Sequence, residues 1–362
     1  MKAVLLVGGE GTRLRPLTIT VPKSMVPIVN RPYLEHLILY LKEHDIDDII
    51  MTLCYLPDPI RSYFGDGSSY GVKLTYIIEN MPLGTAGAVR NVSNKIEETT
   101  FVLNGDIFTD INLSEMLQMH KAKSAAATIA LTTVGDPTAY GVVETSTCDS
   151  VLRFVEKPRR EDVTSNWINA GIYIIEPRIL DSVPKDTRYM FERGVFPDML
   201  ERGDPIFGFK SKGYWIDIGT PEKYAALNRD LLMGRLNRAI PGKLKNDGIW
   251  LENNVKIGPG AVLEGPVAIS SNCMLADAAC VRGPSVIAPN CVIGKGSMIA
   301  DSIIWGNAQI GDGARLQGCL LAEGVSIGKQ AEISDGCILG HHVIIGEGEE
   351  LAPGTVVWPE SD

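Results

Sequence analysis

No stretch of the 362-residue chain approaches the roughly 18 consecutive apolar residues of a membrane-spanning helix, and an excess of cations is missing too. A net charge of −10 excludes the broad basic face that coats phosphate backbones, so neither nucleic acid nor a membrane is an expected partner. Seven cysteines, an odd number, include no C-x-x-C pair of the kind that structural zinc sites use. Met1-Lys2 leads into only five apolar residues before Gly8-Gly9, too short for a secretory leader, and a reducing cytoplasm is the expected setting. Residues 249–362 lack Phe and Tyr and have only Trp250, Trp305 and Trp358 as aromatics. With 5 Lys/Arg against 13 Asp/Glu they hold −8 of the chain's −10, which leaves the preceding residues nearly neutral. The scarcities mark a seam near residue 249.

Before the seam, short aliphatic runs alternate with helical patterns. Residues 3–7, 48–53, 73–78, 101–103 and 126–134 read as strands, and residues 33–44 and 113–123 as helices. This alternation predicts an α/β layer fold with a mostly parallel sheet. After the seam the period is six. Ile257, Leu263, Ile269, Leu275, Val281, Ile287, Ile293 and Ile299 follow without a miss; Ile304, Ile310 and Leu316 come after a one-residue contraction. A second contraction precedes Leu321, Ile327, Ile333, Leu339, Ile345, Leu351 and Val357. Three such positions per turn predict about six coils of a hexapeptide β-helix with these aliphatics pointing inward. Cys273 and Cys291, like Cys319 and Cys337, are then one coil apart and read as small apolar packing.

Gly8-Gly9-Glu10-Gly11-Thr12-Arg13 follows the first strand. It is neither the G-x-G-x-x-G turn, since Leu14 stands where the third glycine belongs, nor a Walker loop, which ends in Gly-Lys-Ser/Thr. What it offers is glycine backbone able to approach a phosphate or a base, with Arg13 beside it and Lys23 ten residues on, a pairing that suits a triphosphate. Asp106 follows a strand at its carboxyl end, where α/β folds place ligands. Glu156-Lys157 ends another apolar run, and Asp217 lies inside Trp215-Ile216-Asp217-Ile218, where a carboxylate needs a hydrogen-bonding or metal partner.

Together these segments resemble the sugar-1-phosphate nucleotidyltransferases. The resemblance rests on the glycine loop with Leu14-Arg15-Pro16-Leu17-Thr18, then Pro22-Lys23, Asn30-Arg31-Pro32, Pro82-Leu83-Gly84-Thr85-Ala86-Gly87, Asn104-Gly105-Asp106, Tyr140-Gly141-Val142-Val143, Glu156-Lys157-Pro158, Asn169-Ala170-Gly171 and Trp215 to Pro221, in that order. It covers nearly the whole chain. Where the family often has Pro-Leu after the lysine, Lys23 is followed by Ser24-Met25. The resemblance implies a Rossmann-like mixed, mostly parallel sheet with helices on both faces over residues 1–235, a linker at 236–248 and a left-handed parallel β-helix over 249–358. It also implies a reaction, NTP plus sugar 1-phosphate giving NDP-sugar and pyrophosphate, with Mg²⁺ held by Asp106 and Asp217. Arg13, Lys23, Asp106 and Asp217 are the implied catalytic residues. Leu6, Gly8, Gly9, Gly11, Thr12, Arg13, Lys23, Glu79, Gly84, Thr85 and Asp106 are implied for the nucleotide, and Gly141, Glu156, Lys157 and Asn169 for the sugar phosphate.

Residues 83–88, 166–173 and 213–219 look closest to mannose-1-phosphate guanylyltransferases, which implies GTP. Glucose-1-phosphate thymidylyl- or uridylyltransferases are the alternative, with heptose- or glucose-specific relatives behind them. Two readings from other classes stay open: a regulatory subunit that binds NDP-sugar without turnover, and a bifunctional enzyme whose β-helix carries acetyltransferase activity through Gly340-His341-His342. Against the latter, adjacent histidines at a coil corner are expected to face solvent. Flat faces and open ends of the β-helix predict a homo-oligomer.

Overall fold

The computed structural model describes residues 1–245 and 248–360, so Asn246 and Asp247 of the expected linker lie outside it. The chain forms two compact units, one made of Met1–Glu10 with Leu34–Asp217, the other of Gly11–Tyr33 with Ile218–Asp362.

The chain begins with β1 (Lys2–Leu6), two short strands β2 (Pro27–Ile28) and β3 (Arg31–Pro32), α1 (Tyr33–Glu43), β4 (Asp48–Leu53), α2 (Pro57–Phe64), β5 (Lys73–Ile78) and α3 (Gly84–Asn91). Next come β6 (Thr100–Asn104), β7 (Ile107–Thr109), α4 (Leu113–Ala122), β8 (Ala127–Thr133), β9 (Gly141–Thr145), β10 (Val151–Glu156), β11 (Trp167–Ile175), α5 (Phe196–Arg202), β12 (Ile206–Lys210), β13 (Trp215–Asp217) and α6 (Pro221–Leu232). The predicted strands and helices are all present, with ends displaced by a residue or two.

In the first unit, β5, β4, β1 and β6 run parallel in that order, and β11 joins antiparallel to β6. Beyond β11 the sheet is mixed, since β8 and β9 pair antiparallel with it while β12 runs parallel to β8. Helix α1 follows from its stripe: Leu34, Leu37, Ile38 and Leu41 recur at helical spacing and are all buried. Helix α4 starts at an N-cap, with Asn112 Oδ1 accepting from Glu115 N at 3.1 Å, and Asn112 Nδ2 also donates to Glu115 Oε1 at 2.9 Å. One core joins Val4, Val102, Ile129, Tyr173, Phe191 and Phe196 across the sheet. Each fully buried aliphatic or aromatic side chain contributes roughly 1.5–3 kcal/mol relative to leaving it in water.

The second unit is built around the β-helix. Its strands stack in three parallel ladders, and paired residues are one coil apart, as Ile269 with Ile287 and Ile299 with Leu316. The two contractions in the sequence appear as shortened coils, so that Ile287 pairs with Ile304 and Ile304 with Leu321 without loss of register. Asparagines at left-handed corners form a ladder: Asn254 donates to Asn272, Asn272 to Asn290 and Asn290 to Asn307, each at 3.2 Å. The inward aliphatics from Ile269 to Ile345 are buried together with Cys273, Cys291, Cys319 and Cys337. Ile257, expected inside, is 45% exposed because its strand opens its ladder and has a neighbouring coil on one side only. Among the described residues no helix is long and apolar enough to cross a membrane.

Candidate active site

In the first unit, the carboxyl ends of the parallel strands carry Leu6, Gly8, Gly9, Glu79 and Asp106 among the expected nucleotide residues. β1 pairs with β4 on one side and β6 on the other, so Leu6 stands level with Asn104. Gly105 N donates to Leu6 O at 2.9 Å, and a Cβ on Gly105 would lie 2.7 Å from that oxygen. The glycine in Asn104-Gly105-Asp106 therefore lets β6 turn against β1, which places Asp106 beside the chain entering Gly8-Gly9. Gly8 packs on Cys54, whose thiol is pushed up by burial and by the charges of Glu79 and Glu10.

Asp106 and Asp217 arrive together through β7 and β13, in which Asp217 pairs with Ile107. Both carboxylates are half-buried. Tyr140 donates its hydroxyl to Asp217 Oδ1 at 2.9 Å, which supplies the partner that a carboxylate in this strand requires. The Tyr140 ring meets Trp215 edge-on at 5.4 Å, and Trp215 Nε1 donates to Ala170 O at 2.9 Å. Tyr140 had been legible as part of a motif, but not as the residue that holds Asp217. Among the described residues no cluster of three or more His, Cys, Asp or Glu could hold a metal. Two hard carboxylates do fit Mg²⁺, which takes one or two protein ligands and completes its shell with phosphate oxygens and water.

Glu79 follows β5 and is only 8% exposed. Its Oε2 accepts from Leu83 N at 3.3 Å, while Oε1 is buried with no hydrogen-bond partner. Burial raises its pKa, partly offset by the Leu83 N–H. Gly84 opens α3 at φ 74°, where a Cβ would lie 2.6 Å from Tyr189 O; a side chain is excluded on both counts. Thr85 points inward: its hydroxyl donates to Glu192 Oε2 at 2.8 Å and accepts from Phe191 N at 3.0 Å.

The expected sugar-phosphate residues line the adjoining β9–β10–β11 region. A Cβ on Gly141 would lie 2.8 Å from Glu156 Oε2, so this glycine makes room for the carboxylate opposite it in the β9–β10 register. Burial and the charge of Glu192 raise the Glu156 pKa, opposed by Lys157 and Arg193. Lys157 takes a left-handed φ of 51° as its N–H donates to Tyr140 O at 3.0 Å, which turns the chain out of β10. Asn169 accepts from Gly171 N at 2.8 Å and donates to the Tyr173 hydroxyl at 2.8 Å.

Gly11, Thr12, Arg13 and Lys23 belong to the second unit. Gly11 has φ 65°, Thr18 Oγ1 donates to Gly11 O at 2.7 Å, and a Cβ on Gly11 would lie 2.9 Å from Lys23 Cβ. Arg13 is exposed and Lys23 buried, each in a short 3₁₀ turn. The segment they occupy is held by the rest of the unit. Leu17 O meets His341 Nε2 at 3.0 Å, Pro27 O accepts from the Tyr224 hydroxyl at 2.7 Å, Val29 N donates to Asn228 Oδ1 at 2.8 Å, and Asn30 Nδ2 donates to Ile287 O at 3.2 Å. Trp305 joins these contacts, donating from Nε1 to the Tyr224 hydroxyl at 2.9 Å and packing edge-on to His341 at 5.6 Å. The expectation that the adjacent histidines both face solvent fails for His341, which is buried by this docking; His342 alone is exposed. A histidine enclosed in this way cannot serve as an accessible general base.

Residues 2–234 match the family described as nucleotidyl transferase, and residues 246–351 match the LbH domain of EIF2B subunit epsilon. The chain is 38% identical to a mannose-1-phosphate guanylyltransferase of Mycobacterium tuberculosis, over 73% of this chain and 79% of that protein. It is 35% identical to a UTP–glucose-1-phosphate uridylyltransferase of Synechocystis, over 87% of this chain and 86% of that one. Among solved structures, HddC from Yersinia pseudotuberculosis superposes with a TM-score of 0.56 at 31% identity, covering 64% of this chain and 99% of its own. HddC complexed with GMP-PN gives 0.55 at 32% identity, over 64% and 99%. With the glycine loop, the strand-end carboxylates and this breadth of match, the chain belongs to the nucleotidyl transferase family and carries a left-handed β-helix behind the transferase segment.

Proposed function

We propose that residues 1–235 form the catalytic segment and transfer a guanylyl group from GTP to mannose 1-phosphate, giving GDP-mannose and pyrophosphate. The observation that carries the choice of base is the buried, unpartnered Oε1 of Glu79 beside the Leu83 turn. Guanine presents two parallel donors, N1–H and the 2-amino group, to a carboxylate, whereas uracil and thymine present one N–H between two carbonyls that a carboxylate repels. An orphaned buried acceptor is costly until a ligand supplies its donor, so the site favours a base with donors to give.

Two polyanions must meet in line, and the task of the protein is charge and alignment more than proton transfer. To Arg13 falls the leaving β and γ phosphates, to Lys23 the α-phosphate and to Lys157 the incoming sugar phosphate. Leu6, Gly8, Gly9, Gly11, Thr12 and Gly84 offer close backbone to the nucleoside and phosphates, and Thr85 sets the start of α3 through its buried contacts. Gly141, Glu156 and Asn169 face the sugar hydroxyls. Asp106 and Asp217 would hold Mg²⁺, which when bound would neutralise phosphate charge. Tyr140 fixes the rotamer of Asp217.

The uridylyl reading has its own support, since the Synechocystis relative matches more of this chain, β-helix included. Pyrophosphate release measured with GTP, UTP and dTTP, against mannose 1-phosphate and glucose 1-phosphate, separates them. GTP with mannose 1-phosphate is expected to lead; a tenfold higher kcat/KM for UTP or dTTP would overturn the guanylyl assignment. Release with no pairing, despite NDP-sugar binding, would favour a regulatory subunit. The reaction belongs in the cytoplasm, where nucleoside triphosphates are abundant, and a homo-oligomer joined through the β-helix is proposed, to be read by light scattering.

A further inference from the structure

A buried carboxylate stands between the nucleotide turn and the sugar wall of the first unit, and none of the roles above uses it. Glu192 lies in a single π-helical turn, Phe191–Val195, and is 7% exposed. Its Oε2 accepts from the Thr85 hydroxyl at 2.8 Å and its Oε1 from the Tyr173 hydroxyl at 2.9 Å. The Tyr173 arm continues outward to Asn169, while the Thr85 arm is pinned to the backbone just before Glu192. Thr85 Oγ1 accepts from Phe191 N at 3.0 Å, and Tyr173 accepts from Asn169 Nδ2 at 2.8 Å. All the donors point inward, so one carboxylate is the terminus of two hydrogen-bonded arms, one rooted at the start of α3 and one at Asn169.

The chemistry of the arms fixes what each end can do. The one hydroxyl proton of Thr85 is engaged in its hydrogen bond to Glu192, so the hydroxyl serves to seat α3 and Gly84. Asn169 Nδ2 has a second proton beyond the one given to Tyr173, and that proton is what a sugar hydroxyl can accept. The rings around this chain are tightly packed, with Tyr173 at 5.4 Å from Phe191 and 5.1 Å from Phe196, which leaves the carboxylate little freedom to turn. A single π turn, here running straight into α5 at Phe196, is also a frequent feature of functional sites.

We propose that Glu192 is a positioning residue that couples the nucleotide and sugar-phosphate subsites, holding the α3 turn and Asn169 in one register through Thr85 and Tyr173. The proposal rests on the subsite assignments made above. A ligand that draws on one arm pulls on a carboxylate shared with the other, so occupancy of one subsite sets the geometry of its neighbour.

Glu192→Gln keeps the volume but replaces one acceptor with a donor, so one of the two hydroxyls can no longer donate to it. KM is expected to rise roughly fivefold or more for both substrates, each varied at saturation of the other, with a smaller fall in kcat. A lowered melting temperature with both KM values unchanged would mean a merely structural role and would overturn the coupling. Thr85→Val and Tyr173→Phe remove one arm each and keep the question open to test if Glu192→Gln does not fold. Each is expected to raise KM for the substrate on the far arm as well as the near one, and the double variant should lose about threefold or more less than the product of the singles. Effects that multiply independently, in an active enzyme, would sink this proposal alone; a wild-type chain inactive on every pairing of triphosphate and sugar 1-phosphate would sink the functional reading with it.

Discussion

Tyr140 donates its hydroxyl to Asp217 Oδ1 at 2.9 Å, and Asp217 sits across from Ile107, one residue along from Asp106. The phenol holds a carboxylate that we assign to Mg²⁺. Tyr140→Phe is expected to raise the Mg²⁺ concentration for half-maximal rate about tenfold, a typical cost for losing the group that orients a metal ligand. Asp217→Asn should lower kcat by roughly a hundredfold or more while circular dichroism stays unchanged. A wild-type rate in Asp217→Asn would remove the metal assignment.

Glu79 supplies a prediction in which stability and activity move in opposite directions. Burial raises its pKa, so the folded state disfavours its charge, and stability present below the unfolded pKa is lost as pH rises through the folded one. Glu79→Gln should therefore leave the melting temperature at neutral pH equal or higher, yet reduce kcat/KM for GTP about ten- to a hundredfold, with a far smaller effect on UTP. A parallel loss for both nucleotides would show that Glu79 does not read the base.

His120 is 2% exposed, between Thr128 Oγ1 at 2.8 Å and Glu176 Oε1 at 3.1 Å. Burial holds its pKa below the ordinary 6.5 despite the carboxylate. The unfolded chain thus takes up the proton first, and stability is lost as pH falls from about 6.5 toward the folded value. For Glu176, burial is outweighed by Thr99 and His120, and its lowered pKa adds a second loss below the ordinary 4.5. Urea unfolding between pH 7.5 and 4 should show a midpoint that drops continuously, with the upper part of the drop absent in His120→Gln.

His341 meets Leu17 O at 3.0 Å from the far end of the sequence. Removing it leaves a buried carbonyl unpaired, a cost of about 1–3 kcal/mol. His341→Ala should accordingly lower the melting temperature by a few degrees and raise KM for the triphosphate, because the segment it braces carries Arg13 and Lys23. His342→Ala, at an exposed corner, should change neither. A loss confined to His342→Ala, with thiol release from acetyl-CoA in the wild type, would reopen the acetyltransferase reading.

The β-helix was readable almost coil by coil because every inward position repeats the same steric demand, and even the contractions at Ile304 and Leu321 keep their register in the structure. Asp106 was readable because an α/β sheet offers ligand positions at the carboxyl ends of its strands, and Asp217 because a carboxylate inside an apolar strand needs a partner, which Tyr140 supplies. Glu192 and Tyr140 were not, since each acts through contacts with residues far away in sequence and neither π turns nor hydroxyl–carboxylate pairs have a local signature. His341 was misread for a related reason. A corner residue's exposure is decided by whatever packs on it, and here that is a loop 324 residues upstream. The same long-range contacts place Gly11–Tyr33 with the β-helix, although in sequence the segment interrupts the sheet unit.

With the phosphate roles proposed for Arg13 and Lys23, the bracing of that loop ties turnover to the end of a repeat array. Solenoids open from their ends, where a coil has a neighbour on one side only, and His341 lies one coil from the last strand at Val356–Val357. Warming should therefore unseat the loop before the sheet melts, and activity should disappear several degrees below the loss of β signal. Such a gap makes the tail a thermal fuse for the enzyme, and stapling the final coils should close it.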